Sequence, residues 1–201
     1  MTTTLLIQTE SSPLTVSLPA VAPMTREQFY AFCQANRDLR IERTATGDVV
    51  IMPPAFSDTG NRNFNLAAYL WVWTEQNGTG LGFDSSSGFM LPNGATRSPD
   101  AAWINADRWN ALTEDEKASF APICPDFVIE LRSASDTLTG LQAKMQEYME
   151  NGVLLGWLID RKHRTVHVYR PNQAPRILEN PDSLSGDPEL SGFVLPMAKV
   201  W

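Results

Sequence analysis

Two carboxylates and one lysine occupy apolar surroundings in this chain of 201 residues. Asp100 opens the apolar segment 101–104. Glu130 interrupts the apolar segment 127–131, and Lys144 follows on a predicted helix. A buried charge is unfavourable unless it is paired or binds a metal, so each position requires a physical explanation. Two carboxylates that hold a metal ion, with a lysine beside them, are the groups that metal-dependent hydrolysis of a phosphodiester needs, and these three residues are the predicted catalytic set.

The strand predicted over residues 126–132 explains how Glu130 can reach a cleft. Side chains alternate across a sheet, so Glu130 shares one face with Val128 and Arg132. The opposite face is apolar and belongs to the predicted core. Asp100 ends a Ser-Pro-Asp turn that enters another predicted strand, where its carboxylate can point sideways into the same cleft.

A helix predicted over residues 137–151 carries Lys144 and Tyr148 on one face, because they lie four residues apart. The adjacent stripe of this helix is apolar and consists of Leu141, Met145 and Met149. The helix connects the strand of Glu130 to another predicted strand, 154–160. If these two strands are parallel, the unit is a right-handed crossover.

The rest of the chain alternates between helix and strand patterns, after residues 1–23, which are predicted as a flexible N-terminal arm. Residues 24–201 are predicted as a single domain. The other predicted elements follow in chain order. They are a helix at 24–36, a strand hairpin at 39–43 and 48–52, a helix at 57–76, a hairpin or extended pair at 80–91, a strand at 99–104 and a helical turn at 114–117. A closing strand at 165–170 is predicted to form a hairpin with 154–160. This mixture predicts the α/β class, with a mixed central sheet flanked by helices.

The composition is that of a globular protein, with 43% hydrophobic and 19% charged residues. No apolar run reaches the length of a membrane span, and residues 2–7 are too short and too uncharged for a signal peptide. Without a secretion signal, Cys33 and Cys124 are expected to be buried thiols rather than a disulfide. We therefore expect a cytoplasmic protein with no membrane partner.

The formal net charge of −7 argues against a simple nucleic-acid binder, which usually has a basic surface. The charge is unevenly distributed, because residues 130–176 contain seven basic and five acidic side chains. An ordinary solubility charge explains the value equally well. The basic turn at 161–164 is predicted as a solvated hairpin tip, with contact to DNA phosphates as the alternative.

Mg²⁺ is the cofactor that the carboxylates predict, with Mn²⁺ as a substitute. This hard ion takes one or two carboxylates and fills its other positions with water and phosphate oxygens. Asp100, Glu130 and the backbone carbonyl of Leu131 are the predicted ligands. Lys144 would orient the attacking water or neutralise charge that develops in the transition state.

These residues resemble a known family. The pattern Pro99-Asp100 … Glu130-Leu131-Arg132 resembles the PD-(D/E)xK signature of restriction-endonuclease-like nucleases, with the final lysine displaced from the strand to the helix. Three segments look like the Uma-type bacterial branch of that superfamily: residues 126–133, 144–152 and 156–160. Parts of 42–54 match its amino-terminal half. The resemblance covers about residues 24–171 and implies a restriction-endonuclease-like core, a Mg²⁺-dependent endonuclease that hydrolyses DNA, and a homodimer in which two sites cut two strands.

Arg132 is where this chain departs from the signature, which has lysine two residues beyond the glutamate. Arginine can bind phosphate but cannot give up a proton, so Lys144 must take the lysine's role. Glu42 is an accessory candidate, because the wider superfamily often adds an acidic group from its first elements. The alternative for Glu42 is a surface pair with Arg40 or Arg43.

Two more residues near the predicted site are accessory candidates. Ser133 lies near the phosphate in one interpretation, and in the other it caps the following helix together with Ser135. Gln142 lies close to Lys144 on the same helix and could reach substrate, although exposed polar residues are common on helices.

Two other interpretations of the whole chain stay open. In the first, it is a catalytically weak or inactive nuclease-fold protein that acts as a nucleic-acid-binding or regulatory module, which Arg132 and the acidic charge favour. In the second, the carboxylates are structural and the chain is an interaction domain. Zinc chemistry is disfavoured, because His163 and His167 lack partners at zinc spacing. The chain also contains no GxSxG motif and no phosphate-binding P-loop.

Overall fold

The structure is a computed structural model that describes residues 14–16 and 24–201. Within them the strands are β1 (Leu14–Val16), β2 (Arg40–Arg43), β3 (Val49–Met52), β4 (Gly80–Asp84), β5 (Phe89–Met90), β6 (Thr96–Arg97), β7 (Ala101–Asn105), β8 (Phe127–Leu131), β9 (Leu155–Asp160), β10 (Thr165–Tyr169), β11 (Arg176–Glu179), β12 (Ser183–Ser185) and β13 (Val194–Pro196). The helices are α1 (Arg26–Ala35), α2 (Ser57–Asn77), α3 (Ala106–Asn110), α4 (Glu114–Lys117), α5 (Leu138–Glu150) and a 3₁₀ helix (Met197–Lys199). No helix of this described part is long and apolar enough to cross a membrane.

Six strands form the central sheet, in the order β11-β10-β9-β8-β7-β4. The pair β8 and β9 is parallel, and the other neighbouring pairs are antiparallel. Helix α5 connects the parallel pair, because the chain must return to the same end of the sheet before it can start a parallel strand. The predicted mixed sheet with flanking helices is confirmed.

The two faces of the central sheet pack against different helices, because side chains alternate along each strand. Leu66 and Leu70 of α2 pack on one face, against Ala101, Trp103, Phe127, Ile129, Leu131, Leu155, Trp157 and Ile159. Met145 and Tyr148 of α5 pack on the other face, against Ala102, Ile104, Val128 and Leu158. Glu130 belongs to this second face, so its side chain is directed towards α5.

A second sheet of five strands has the order β1-β3-β2-β6-β5. The predicted hairpin of β2 and β3 is present, and Gly47 adopts a positive φ of 94° in its turn. β1 pairs with β3, whereas the remainder of the predicted arm, residues 1–13 and 17–23, lies outside the described residues. This second sheet carries Glu42 on β2 and Arg97 on β6.

The extended pair predicted over residues 80–91 is not a pair. β4 joins the central sheet beside β7, whereas β5 joins the second sheet beside β6. A side chain at Gly80 would place its Cβ only 2.3 Å from the carbonyl oxygen of Ile104, so the glycine permits this close approach of β7. The local pattern indicated extended chain correctly, but the pairing partner depends on contacts distant in sequence.

The cap of α5 also differs from the sequence-based expectation. Thr137 is the N-cap, and its hydroxyl accepts a hydrogen bond from the amide of Gly140. Ser133 and Ser135 therefore do not cap this helix. They lie in the loop after β8, where the hydroxyl of Ser133 is 2.6 Å from a carboxylate oxygen of Asp136.

Candidate functional site

A cavity of about 550 Å³, here called the central cavity, lies between the central sheet, the N-terminal part of α2 and the first half of α5. The predicted catalytic residues and metal ligands line it together: Asp100, Glu130, Leu131 and Lys144. The other polar lining residues are Arg40, Ser57, Thr59, Asn63, Ser133, Ser135 and Asp136, and the apolar ones are Met52, Pro53, Pro54, Ala55, Phe56 and Leu141.

Asp100 lies beside Glu130 because of the antiparallel register of β7 and β8, which pairs Ala101 with Ile129. One carboxylate oxygen of Asp100 accepts a hydrogen bond from the amide of Leu131 at 2.8 Å. The other accepts one from the side-chain amide of Asn63 at 3.0 Å. Burial raises the pKa of Asp100, while the charge of Arg40 and the amide of Leu131 oppose this shift.

Glu130 is buried on β8 and contacts two residues of α5. Its Oε1 lies 2.8 Å from Nζ of Lys144 and accepts a hydrogen bond from the hydroxyl of Tyr148 at 3.1 Å. Burial raises the pKa of Glu130 to about 7, against the attraction of Lys144 and with added repulsion from Asp100 and Glu42. The two central carboxylates therefore repel each other, which favours any cation between them.

Lys144 lies between two buried carboxylates, with its Nζ 2.8 Å from Glu130 and 2.9 Å from Glu42. Burial would lower the pKa of Lys144, but the two carboxylates raise it above its ordinary value. Lys144 is therefore a permanently charged group at neutral pH.

Glu42 is not a surface residue, since only 2% of it is exposed. Besides Lys144, it accepts hydrogen bonds from the amide of Ser98 at 2.9 Å and from Arg97 at 3.1 Å. Burial would raise the pKa of Glu42, yet the charges of Lys144 and Arg97 hold it below its usual value. The alternative of a surface pair with Arg40 or Arg43 is wrong, and Glu42 belongs to the ion cluster around Lys144.

The other accessory candidates are placed differently. Arg132 does not line the central cavity, because its guanidinium is 2.7 Å from the fully buried carboxylate of Asp160. Ser133 does line the cavity, with its hydroxyl directed to Asp136. Gln142 is half-buried on α5 and lines no part of the central cavity.

Three residues at the site were not predicted from the sequence as site residues: Arg40, Asn63 and Arg97. Arg40 lies 3.6 Å from Asp100, and Asn63 binds the same carboxylate. The sequence contained a signal for Asn63, because the inward stripe of α2 begins with the polar residues Thr59 and Asn63 before it turns apolar at Leu66. Arg97 carried no comparable signal, since its partners lie 50 and 55 residues away.

The donor set fits a hard divalent cation such as Mg²⁺. Within residues 14–16 and 24–201 no cluster of three or more histidine, cysteine or acidic side chains could hold a metal. Mg²⁺ does not require one, because it binds through one or two carboxylates and keeps several waters. Asn63 is a further polar group at the cavity, and its buried side-chain oxygen has no hydrogen-bond partner among the described residues. A polar ligand or water in the cavity would satisfy that oxygen.

Arg97 should be essential for the stability of this ion cluster. It bridges Glu42 and Glu147, at 3.1 and 2.5 Å, and only 12% of its side chain is exposed. We expect Arg97→Gln to lower the free energy of unfolding by about 3–5 kcal/mol, the typical cost of leaving buried charges unpaired. Arg97→Lys should lose less, since it keeps the charge but not the forked geometry.

Urea unfolding of both variants checks this expectation. Arg37→Gln is the matched control, because Arg37 is exposed and contacts Gln34, and it should change stability by less than about 0.5 kcal/mol. Equal stability of Arg97→Gln and the control would show that the cluster contributes nothing to folding.

Comparison with known proteins agrees with the fold. The family model Uma2, described as "Putative restriction endonuclease", matches residues 26–198. None of the curated proteins matches the chain. Among solved structures, the crystal structure of a putative nuclease belonging to DUF820 from Anabaena variabilis ATCC 29413 is similar, with a TM-score of 0.69, 20% sequence identity, and coverage of 89% of this chain and 97% of that chain. That likeness shows a common fold, and because the family model extends over most of the sequence, the chain belongs to the Uma2 family.

Proposed function

We propose that this protein is a metal-dependent endonuclease that hydrolyses phosphodiester bonds of DNA. The observation that supports it most is the meeting of Asp100, Glu130 and Lys144, distant in sequence, in one cavity. Membership of a family described as restriction endonucleases supports the same class of activity. A structural role alone does not explain why two mutually repelling carboxylates border open space.

Asp100 and Glu130, with the carbonyl of Leu131, would hold Mg²⁺, and Mn²⁺ could replace it. A bound ion of this kind polarises the scissile phosphate and lowers the pKa of the attacking water. Asn63 and the amide of Leu131 orient Asp100 by hydrogen bonds at 3.0 and 2.8 Å. Tyr148 orients Glu130 from the opposite side. Such support from neighbouring groups keeps ligands in a productive geometry.

Lys144 acts in this proposal as a fixed positive charge rather than as a base. Glu130 and Glu42 raise its pKa, so it holds its proton at neutral pH. A charged ammonium can orient the attacking water and neutralise charge that develops on the phosphate. Glu42 and Arg97 position Lys144. Arg132 forms an ion pair with Asp160. Its proposed contact with phosphate would require that ion pair to break.

Lys144 borders two cavities, which together leave room for a polymeric substrate. A second cavity of about 680 Å³ shares Met52, Ser135, Asp136, Leu141 and Lys144 with the central cavity. A strand could therefore continue past the scissile bond in both directions, as internal cleavage requires. Ser133 remains the proposed phosphate contact, and Gln142 a proposed contact further along α5.

A homodimer would allow two sites to cut two strands. Helix α2 exposes apolar side chains on its outer face, among them Phe64, Trp71 and Val72, and we propose this face for the contact. By contrast, Trp103 and Trp157 are buried in the core. We also propose a cytoplasmic location, since Cys33 and Cys124 are free thiols.

Cleavage of supercoiled plasmid in Mg²⁺ or Mn²⁺ tests the proposal. The native protein should nick the plasmid, and Asp100→Asn should lower the rate by roughly 10²- to 10³-fold, the usual cost of losing one preorganised electrostatic group. Asp107→Asn is the matched control, because Asp107 lies in the first turn of α3 away from the cavity, and it should cut normally. Absence of cleavage by the native protein, with metal binding intact, would instead favour the nucleic-acid-binding or regulatory module.

A further inference from the structure

The central cavity has two chemically different sides. One side carries the charged groups Asp100, Glu130 and Lys144. The other is the loop between β3 and α2, which is apolar from Met52 to Phe56. A ligand that fills the cavity must therefore combine a charged part with an apolar part.

Among the described residues that line the cavity, Phe56 is the one aromatic side chain. It is 60% exposed, although it borders a cavity that could have enclosed it. It occupies the N-cap of α2 without making a side-chain cap hydrogen bond, so helix capping does not account for its presence. Pro53 and Pro54 precede it, and their fixed φ angles make the loop rigid and remove two amide donors.

A nucleotide has the chemistry that matches these two sides. Its phosphate suits the charged side, and its base offers a flat apolar face. Stacking of a base on an aromatic side chain contributes about 1–3 kcal/mol and tolerates any base, because every base has a π-face. The acidic net charge of −7 makes such a contact useful, since it weakens long-range attraction to the phosphate backbone.

We infer that Phe56, with Pro53 and Pro54, forms a stacking platform for the nucleobase next to the scissile phosphate. The enzyme accordingly acts on unstacked nucleotides, as in single-stranded or locally opened DNA. This inference rests on the proposed nuclease function and adds the conformation of the substrate to it. Bases inside an intact duplex are covered on both faces by their neighbours, so they cannot stack on Phe56 until one is released.

Binding of short oligonucleotides by the full chain tests the platform. Fluorescence anisotropy would compare single-stranded oligothymidylate, a fully abasic strand of the same length, and a paired duplex. We expect Phe56→Ala to weaken binding of the single strand by roughly 5- to 150-fold, which is the stacking energy converted to an affinity ratio. Phe56→Trp should retain it. The fully abasic strand should bind native protein and Phe56→Ala equally, because it has no base that could stack on the side chain.

Ile177→Ala is the control variant, since Ile177 is a similarly exposed apolar residue on β11 outside the cavity. Plasmid cleavage measured in parallel separates the two proposals. A native protein that cleaves DNA while Phe56→Ala binds every strand normally would overturn the platform and leave the nuclease function standing. A native protein that neither binds nor cleaves would overturn both. Unchanged binding with a smaller sedimenting species for Phe56→Ala would assign Phe56 to a contact with a second copy of the chain, and the platform would be wrong.

Discussion

Lys144→Met should reduce DNA cleavage by roughly 10²- to 10³-fold, because it removes the ammonium group that lies between Glu130 and Glu42. Methionine keeps an unbranched side chain as far as Cε and removes the terminal ammonium group. The loss should appear mainly in kcat rather than in KM, since a charge that stabilises the transition state contributes little to ground-state binding. Single-turnover cleavage at saturating enzyme measures it directly.

The same substitution should also destabilise the protein, so activity and folding must be separated. Removing Lys144 leaves Glu42 and Glu130 buried with less compensating charge, at a cost of about 3–5 kcal/mol. The double variant Lys144→Met with Glu42→Gln removes one of the two acids as well. It should recover part of the stability in urea unfolding and none of the cleavage.

Three outcomes for Lys144 can be distinguished. Recovery of cleavage in the double variant would show that the lysine acts only by neutralising Glu42. Cleavage by the single variant within about tenfold of the native rate would assign Lys144 to a structural ion pair. Loss of cleavage in both variants, with a folded double variant, supports the proposed role.

Glu130 should make the stability of the metal-free protein fall as the pH rises from about 4.5 towards 7. Burial raises its pKa from the ordinary 4.5 to about 7, so in this range the folded protein keeps a proton that the unfolded chain has lost. Stability decreases with pH wherever the folded state binds more protons. The shift corresponds to a loss on the order of 3 kcal/mol across the window. Asp100 contributes in the same direction, because burial raises its pKa as well.

Urea unfolding between about pH 5 and pH 8 measures this dependence, with Glu130→Gln as the variant that lacks the titration. The difference in stability between native protein and Glu130→Gln should shrink or reverse as the pH rises. Glu150→Gln is the matched control, since Glu150 is an exposed carboxylate at the C-terminal end of α5. If native protein and Glu130→Gln show the same dependence of stability on pH, the raised pKa of Glu130 is contradicted.

Added Mg²⁺ extends the same experiment. A cation between Asp100 and Glu130 replaces the proton, so the stabilisation by Mg²⁺ should grow as the pH rises through about 7. It should be weak or absent in Glu130→Gln. Equal stabilisation of both proteins by Mg²⁺ would place the metal elsewhere.

Local sequence patterns were sufficient to predict the strand that carries Glu130 and the helix that carries Lys144. Alternation identified β8 and assigned Glu130 to the face opposite Phe127, and helical spacing placed Lys144 and Tyr148 together on α5. These patterns arise from neighbours in the chain, where the strand period of two and the helix period of 3.6 act directly. The patterns gave the wrong N-cap for α5, because several hydroxyl residues precede the helix and each is a suitable cap. Ser133 and Ser135 were predicted, whereas Thr137 is the N-cap.

The three central residues can be recognised in the sequence, because Asp100, Glu130 and Lys144 are charged where their neighbours are apolar. Their surroundings depend on how the chain folds. Folding brought Glu42 and Arg97 to Lys144 from a second sheet, and it paired Arg132 with Asp160. The physical reason is that an ion pair forms where sheet register and helix packing bring charges within a few ångströms, and chain segments tens of residues apart contain no local signal of that approach.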